Sequence, residues 1–150
     1  MHQNGKSYTV AQLGRLKDWG HHSFTHSALP LPVPGKGFVK DVLSLSAMEV
    51  SVNNVPAGAA IPFYHRHRAN EELYVFLSGH GEMQVDGDMI AVTEGSAVRV
   101  APKGKRAWRN TGEDALVFLV IQARAGSLAH GDISDGEIIP GEVVWGTLEG

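Results

Sequence analysis

Short runs of apolar and β-branched residues alternate with turn residues from Phe38 onward, and this pattern is typical of short β-strands. The predicted strands are Phe38–Leu45, Met48–Val52, Leu73–Leu77, Glu82–Val85, Met89–Val92, Ala97–Val100, Arg106–Asn110 and Leu116–Gln122. Asp86-Gly87 separates two of these runs and predicts a two-residue hairpin, because glycine accepts a positive φ without penalty. No long helix is predicted after Phe38. The pattern therefore favours an all-β sandwich or barrel.

The first 37 residues lack this regular alternation of short apolar runs and turn residues. Val10, Leu13 and Leu16 are spaced as in a short helical turn. Three prolines at alternate positions between Leu29 and Gly37 exclude helix there and favour an exposed, extended crossing. We therefore predict three regions: an N-terminal arm at 1–37, a barrel at 38–125, and a glycine-rich tail at 126–150 that packs on the barrel or on a partner.

Two of the predicted strands are apolar on both faces. In Leu73–Leu77 and in Leu116–Gln122, both sets of alternating side chains are largely apolar, and a strand of that kind is covered on both sides. A barrel has only one inside, so the outer face must meet another sheet, the arm or a second subunit. We expect a homodimer, with the arm as a candidate to cross between subunits.

Composition narrows the possible functions. A chain of 150 residues is typical of one domain and is long enough to bury a core. The net charge of −3 gives no electrostatic reason to expect nucleic acid or a membrane surface as partner, and the apolar runs are far shorter than a bilayer span. The N-terminus lacks the pattern of a secretory signal, so a cytoplasmic location is expected. With no cysteine and 8 histidines, any metal site must use nitrogen and oxygen ligands.

The candidate chemistry lies in the segment FYHRHRANEELYVFLSG, residues 63–79. His65 and His67 are two residues apart, so on a strand both point to one face. Glu72 lies where the next strand begins. If the three side chains converge, they offer two nitrogens and one carboxylate, a set suited to Fe(II), with Mn, Ni, Co or Zn as competitors. The alternative interpretation is a pair of surface histidines without a metal. The two histidines alone do not distinguish a metal site from this alternative.

The wider segment, Pro56 to Gly87, resembles the first conserved motif of the cupin superfamily. The positions that match are Gly58, His65, His67, Glu72 and Gly79, and the spacer from the glycine to the first histidine is one residue longer than the commonest form. The resemblance covers roughly residues 38–123. It implies an antiparallel barrel of the jelly-roll type in which the two histidines and the glutamate bind one divalent metal ion.

The second cupin motif is present without its histidine. Gly95, Pro102, Gly104 and Asn110 match it, but counting back from Asn110 reaches Arg106 and counting on from Gly104 reaches Ala107, so the histidine that is the family's fourth ligand is missing at either position. Other histidines are weak substitutes. His80 is expected at the far end of the Glu72 strand, and the remaining candidates are expected to be solvated or at an interface; these are His21, His22, His26 and His130.

Arg106 has three possible arrangements. Arginine stays protonated and cannot ligate a metal. In the first arrangement the ion is held by three ligands and Arg106, as the candidate catalytic residue, binds a substrate oxyanion. In the second, Arg106 pairs with Glu72, the metal is weak or absent, and the pocket binds a small organic acid. In the third, the arginine turns outward to solvent.

Strand alternation adds candidates for a substrate pocket. Trp108 shares a face with Arg106, and Tyr74 and Phe76 share a face with Glu72. Tyr74 and Trp108 carry polar groups and are either core residues or cavity walls, whereas Phe76 is better explained as core. Gln84 is a minor candidate.

The resemblance implies dioxygenases, isomerases and decarboxylases as candidate activities. We expect a small cupin that uses a divalent metal to act on a small anionic or oxygenated metabolite, in a dioxygenase- or isomerase-like reaction. The alternative is a ligand-binding cupin without turnover and with weak or no metal. A purely structural dimer would leave the inward polar cluster without a purpose.

Overall fold

The computed structural model describes residues 2–129, 131 and 133–147, so His130 lies outside the described residues. Within these ranges the chain forms β-strands with one short α-helix and two short 3-10 helices. The first strands are β1 (His2–Asn4), β2 (Thr9–Ala11), β3 (Ser23–Phe24), β4 (Val33–Pro34), β5 (Lys36–Phe38) and β6 (Glu49–Val55). The later strands are β7 (Asn70–Ser78), β8 (His80–Val85), β9 (Asp88–Thr93), β10 (Ala97–Val100), β11 (Arg106–Asn110) and β12 (Leu116–Arg124). The helices are the 3-10 helix Leu16–His21, α1 (Lys40–Leu43) and the 3-10 helix Ile133–Asp135.

Two antiparallel sheets make up the barrel. One has the strand order β10-β7-β12-β6-β5 and the other has the order β11-β8-β9. The segment between β6 and β7 runs beside β11, through bridges from Ala60 to Arg109 and from His65 to Arg106. The expected all-β antiparallel barrel is confirmed, and this strand order is consistent with the jelly-roll type.

The hairpin predicted at Asp86-Gly87 is confirmed. Val85 of β8 pairs with Asp88 of β9, and the two residues between them have φ values of 52° and 100°. Positive φ at both positions defines the tight turn whose twist matches the flanking strands.

One strand prediction was wrong. The run Phe38–Leu45 does not form a strand, because β5 ends at Phe38 and α1 follows from Lys40 to Leu43. Val39, Val42 and Leu43 turn toward one hydrophobic cluster, which is helical spacing. A short apolar run does not by its periodicity distinguish a buried strand from a helical turn.

The main core fills the space between the two sheets. It draws inward side chains from both sheets, among them Phe76 on β7 and Phe118 on β12, whose ring centroids are 4.9 Å apart. Burial alternates along β7, where Tyr74 and Phe76 are almost completely buried, whereas Leu116, Val117 and Phe118 are all buried at the start of β12. The polar site lies directly against this core.

The arm covers part of the outer face. Trp19, in the first 3-10 helix, is buried against Val39 and Val52, and its indole nitrogen donates a hydrogen bond to the Leu13 carbonyl at 2.8 Å. Of the three expected partners for the outer face, the arm therefore covers the β6 side, on its own chain. Leu73 and Leu77 on β7 stay 38% and 36% exposed.

The C-terminal tail has no comparable packing. Its described residues after Arg124 are exposed, apart from the half-buried Ala125, and Trp145 is 90% exposed. Among the residues that the structure describes, no helix is long and apolar enough to cross a bilayer.

Candidate metal site

His65, His67 and Glu72 converge at one end of the cavity inside the barrel. One potential ligand atom from each of the three lies within 4.8 Å of the others. The Nε2 atom of His67 is 2.9 Å from Oε1 of Glu72, and Nε2 of His65 is 3.7 Å from Oε2. The spatial convergence that the sequence predicted for these side chains is therefore present.

Backbone pairing holds the two histidines in place. His65 exchanges both backbone hydrogen bonds with Arg106 of β11, at 3.2 and 3.0 Å, and the His67 amide donates to the Pro102 carbonyl at 2.8 Å. The extended segment turns both imidazoles inward, while Arg66 between them is exposed. The strand-like spacing of the pair therefore acts as expected, although the segment makes only bridging contacts.

Glu72 is the most constrained member of the cluster. It is 4% exposed and accepts a hydrogen bond from the Tyr74 hydroxyl at 2.6 Å. Burial alone would raise the pKa of Glu72, but its hydrogen bonds with His65, His67 and Tyr74 outweigh burial and hold that pKa well below its usual range. Burial next to this carboxylate raises the pKa of Tyr74. Glu72 is thus an anion at neutral pH, the form a metal ligand requires.

Arg106 lies behind Glu72, completely buried. Its Nε is 3.2 Å from Oε2 of Glu72, and Nη1 donates to the Gly104 carbonyl at 2.7 Å. Within the described part of the chain, Nη2 has no hydrogen-bond partner. Of the three arrangements considered for Arg106, the structure has the ion pair with Glu72; the side chain does not turn outward and does not line the cavity.

The cavity in front of the cluster has a volume of about 200 Å³. Its polar walls carry His65, His67 and Glu72 together with Lys36, Ser51, Tyr74 and Gln122. Its apolar walls are formed by Phe24, Leu29, Val33, Phe38, Ile61, Phe63, Trp108 and Val120. The arm supplies Phe24, Leu29 and Val33, so it closes part of the cavity as well as covering the outer face.

Of the other four residues predicted to line the pocket, two line the cavity and two do not. Tyr74 and Trp108 line the cavity, with their ring centroids 5.8 Å apart. Phe76 packs in the core and does not reach it. Gln84 does not join them, because it lies on the outer side of β8 in a separate groove, where its side chain meets the Tyr64 hydroxyl. Alternation along β8, with Met83 buried, places Gln84 on that outer side.

Lys36 is a charged cavity residue that sequence reasoning missed. It lies at the start of β5, and pairing of β5 with β6 aligns it with Asn53. Burial lowers the pKa of Lys36 to about 8, against the opposing effect of the negative charges on Glu72 and Glu49. No motif marks this lysine, and its position follows only from how the arm joins the sheet.

The remaining described histidines are outside the cluster. His80 begins β8, as expected from its distance along the chain, and lines a separate surface depression. His21 and His22 are exposed beside Trp19, and His26 is exposed in the arm. In the described ranges, no fourth histidine or carboxylate joins His65, His67 and Glu72.

The cluster fits a divalent ion by its donor set. Two imidazoles and one ionised carboxylate are the ligands of a facial triad. In addition, the Nδ1 atom of His65 is buried without a hydrogen-bond partner among the described residues, so this ring has bonding capacity that the protein does not use.

Residues 51–122 match a family model described as Cupin domain. A solved cupin protein from Bacteroides fragilis is 42% identical to this chain, with 70% of this chain and 89% of that chain covered and a TM-score of 0.66. No curated protein is significantly similar to this chain.

Two further solved structures are more distant. A protein from Acidithiobacillus ferrooxidans, whose assignment as a sugar phosphate isomerase is itself provisional, is 27% identical over 59% of this chain and 58% of its own, with a TM-score of 0.54. The Cnp3 cupin domain from Schizosaccharomyces pombe is 20% identical over 53% of this chain and 58% of its own, with a TM-score of 0.50. The last comparison concerns the fold alone.

Proposed function

The chain belongs to the cupin family, and from that premise we propose that it binds one divalent metal ion through His65, His67 and Glu72 and acts on a small anionic or oxygenated metabolite. The observation that carries the proposal is the convergence of these three groups within 4.8 Å of one another at the wall of an internal cavity. A dioxygenase- or isomerase-like reaction is the finer form of the proposal. Fe, Mn, Ni, Co and Zn all suit this donor set.

The ion, when bound, would supply Lewis acidity or activate oxygen. The chain's own residues prepare the site for it. Glu72 is kept ionised by its hydrogen bonds. Arg106 and Tyr74 fix the direction of the Glu72 carboxylate from behind and from the side. We propose that Arg106 is a positioning residue, since it touches Glu72 and does not line the cavity.

The cavity walls support a small organic ligand. Trp108, Phe38 and Val120 present apolar surface on the same cavity as the three ligand groups. Walls that are mostly apolar, with a few converging polar groups, are typical of small-molecule sites. Such walls exclude water from the space next to the ion and restrict the orientation of the ligand.

A ligand-binding protein without turnover is the second candidate, and one observation favours it. Arg106 already neutralises Glu72, and its positive charge opposes a second cation nearby. In that case the cavity binds an organic acid with little or no metal.

Metal analysis of untagged protein tests the two candidates. After incubation with each of the five ions and removal of the excess, we expect about one ion per chain, held by a facial triad that leaves other coordination positions open. His67→Ala should weaken binding by more than the roughly 10–100-fold that loss of an outer partner costs. His80→Ala is the matched control and should bind as the unmodified protein does.

Equal metal content in the His67→Ala variant and the unmodified protein would remove the metal proposal. A metal-loaded protein is then assayed for oxygen consumption and for isomerisation with 1,2-diketones, diols and phenolic acids. Little or no metal loading, together with binding of an organic acid and no turnover, would favour the second candidate.

We also propose that the protein is a homodimer. Leu73 and Leu77 leave apolar surface on the outer face of β7 that the arm does not cover, and Val143, Val144 and Trp145 are exposed in the tail. Light scattering coupled to size-exclusion chromatography should give twice the mass of the chain. A monomer across the accessible concentration range would contradict this.

A further inference from the structure

Lys36 brings an amine into the cavity that already holds the three candidate metal ligands. The side chain is partly buried and lines the same space as His65, His67 and Glu72. The lysine is neither a ligand candidate nor part of an ion pair among the described residues. Its position therefore needs a separate explanation.

Two polar side chains aim the Lys36 amine. Nζ donates to Oδ1 of Asn53 at 2.9 Å and to Oγ of Ser51 at 3.1 Å. Asn53 in turn donates through Nδ2 to the Ser51 hydroxyl at 3.0 Å, which fixes the orientation of its amide. A lysine ammonium has three N–H donors, and the described residues provide acceptors for two of them. The third remains available to a ligand.

Aromatic rings flank the same nitrogen. Nζ is 5.1 Å from the centre of the Phe38 ring and 5.9 Å from the centre of the Trp108 ring. Both distances are within the range of cation–π attraction, which favours the charged form. The two acceptors and the two ring faces therefore favour the charged, ammonium form of this amine.

The charges around the cavity leave this ammonium uncompensated. Among the described residues, Glu72 is the one acidic residue in the cavity wall, and it is paired with Arg106 behind it. Glu49 also acts on Lys36 through its charge, but its carboxylate accepts backbone hydrogen bonds from Lys40 and Val50 and does not line the cavity. Among the side chains that the structure describes there, two cations and one anion therefore meet at this end of the barrel, so an anionic ligand balances the charge.

The volume limits the size of that ligand. A cavity of roughly 150 Å³ lined by apolar side chains admits benzene. A volume of about 200 Å³ therefore accommodates a single ring, or a short branched chain, with one small polar group attached. Sugar phosphates and larger ligands need a larger site, within the roughly 300–1,000 Å³ that is typical of sites for drug-sized ligands.

We propose that Lys36 is the substrate-binding residue for the carboxylate of a small monocyclic or short-chain acid, whose apolar body lies against Trp108 and Phe38. The proposal rests on the proposed function for the reaction, but the binding of the acid to Lys36 does not require the metal. Since the pKa of Lys36 is about 8, the amine is mostly protonated at pH 7, in agreement with this role.

Calorimetric titration with benzoate tests the assignment, with benzyl alcohol as the uncharged probe of similar shape. Lys36→Met keeps the length of the side chain and removes its charge. Because a hydrogen bond to a charged group contributes about 1.5–3 kcal/mol, benzoate affinity should fall by about tenfold or more. Lys36→Arg keeps the charge and should retain part of the affinity. Lys103→Met, in an exposed loop, is the matched control and should bind benzoate normally.

Several outcomes overturn the assignment. These are equal benzoate affinity in the Lys36→Met variant and the unmodified protein, equal affinity of the unmodified protein for benzoate and benzyl alcohol, and a dissociation constant for benzoate weaker than about 10 mM. Thermal melting of each variant separates a binding defect from a folding defect, and Lys36→Arg provides a second, charge-conserving comparison.

Repeating the titration in the presence of a chelator, and with His67→Ala, separates this proposal from the proposed function. Benzoate binding that depends on Lys36 but persists without metal supports the assignment even if the metal analysis fails. Normal metal content with benzoate binding that is indifferent to Lys36 overturns the assignment alone.

Discussion

The guanidinium of Arg106 lies 3.2 Å from the carboxylate of Glu72, and both side chains are buried. A buried ion pair is not a strong source of stability, because desolvation offsets much of the attraction. Its importance is that neither partner can be removed alone without leaving an unpaired charge in the core. The arrangement fixes the carboxylate that faces the two histidines and couples the site to the stability of the barrel.

Glu72→Gln should destabilise the protein by about 3–5 kcal/mol, since it leaves the Arg106 charge buried without its partner. The double variant Glu72→Gln/Arg106→Met should recover most of that loss. Urea denaturation measures the free energy of unfolding for each variant. The matched control is the exposed pair Glu82–Arg109, where Glu82→Gln should cost less than about 1 kcal/mol. If the double variant lost as much unfolding free energy as the single variants Glu72→Gln and Arg106→Met lose together, the coupling between the two residues would be contradicted.

Stability should fall in acid because of the same carboxylate. The pKa of Glu72 lies below its ordinary value of 4.5 in the folded protein, so the unfolded chain takes up the proton first. The contribution of Glu72 is therefore fully present above about pH 4.5 and is lost progressively below it. The difference in unfolding free energy between the unmodified protein and Glu72→Gln should shrink over that acid range. A difference between the unmodified protein and Glu72→Gln that stays constant over that acid range would refute the prediction.

Benzoate affinity should decrease at alkaline pH. Only the protonated Lys36 binds a carboxylate, and burial lowers the pKa of this lysine to about 8, so affinity should fall by up to about tenfold per pH unit above that value. Among the described residues, the charged or titratable groups around it are Glu49, Glu72, Tyr74, His65 and His67. Lys36→Arg stays protonated over this range, and its affinity should not change there. Calorimetry between pH 7 and pH 9.5 measures both proteins, and parallel curves would exclude Lys36 as the titrating group.

Trp19→Ala should destabilise the whole barrel. The indole is 8% exposed and packs against Val39 and Val52, so its removal should cost about 3–5 kcal/mol. Leu128→Ala is the matched control, because that side chain is 79% exposed and its loss should be nearly neutral. Chemical denaturation followed by far-ultraviolet circular dichroism gives both values. A nearly neutral Trp19→Ala would mean that the arm is not part of the cooperative fold.

The strands after Met48 could be predicted because each carries its own signal. Alternation identifies the buried face of β7 and β11, and the turns between strands need residues with special backbone freedom. Gly79 is an example: its φ is +88°, and a side chain there would approach the Ala115 carbonyl oxygen to 2.5 Å. The spacing from Glu72 to Gly79 is therefore a property of one strand and its turn, and a linear pattern is enough to describe it.

The arm could not be predicted in the same way. Trp19, Phe24 and Val33 show no regular periodicity, and their partners are far away along the chain. The helical turn expected from Val10, Leu13 and Leu16 was misplaced, because Val10 lies in β2 and the 3-10 helix begins only at Leu16. The packing of that helix on β6 was not anticipated. Gln84 and Lys36 illustrate the same limit. Alternation set Gln84 opposite Met83 and Val85 without identifying which of the two faces lines the cavity, and Lys36 was overlooked.

By itself, the sequence determined that this chain is a cupin with antiparallel strands and that His65, His67 and Glu72 are its candidate metal ligands, because those properties depend on residues close together along the chain. Only the tertiary structure decided that Arg106 pairs with Glu72, that the arm closes the cavity, and that Lys36 enters it. These three features depend on contacts between distant segments, where burial and charge balance, rather than local spacing, select the partner.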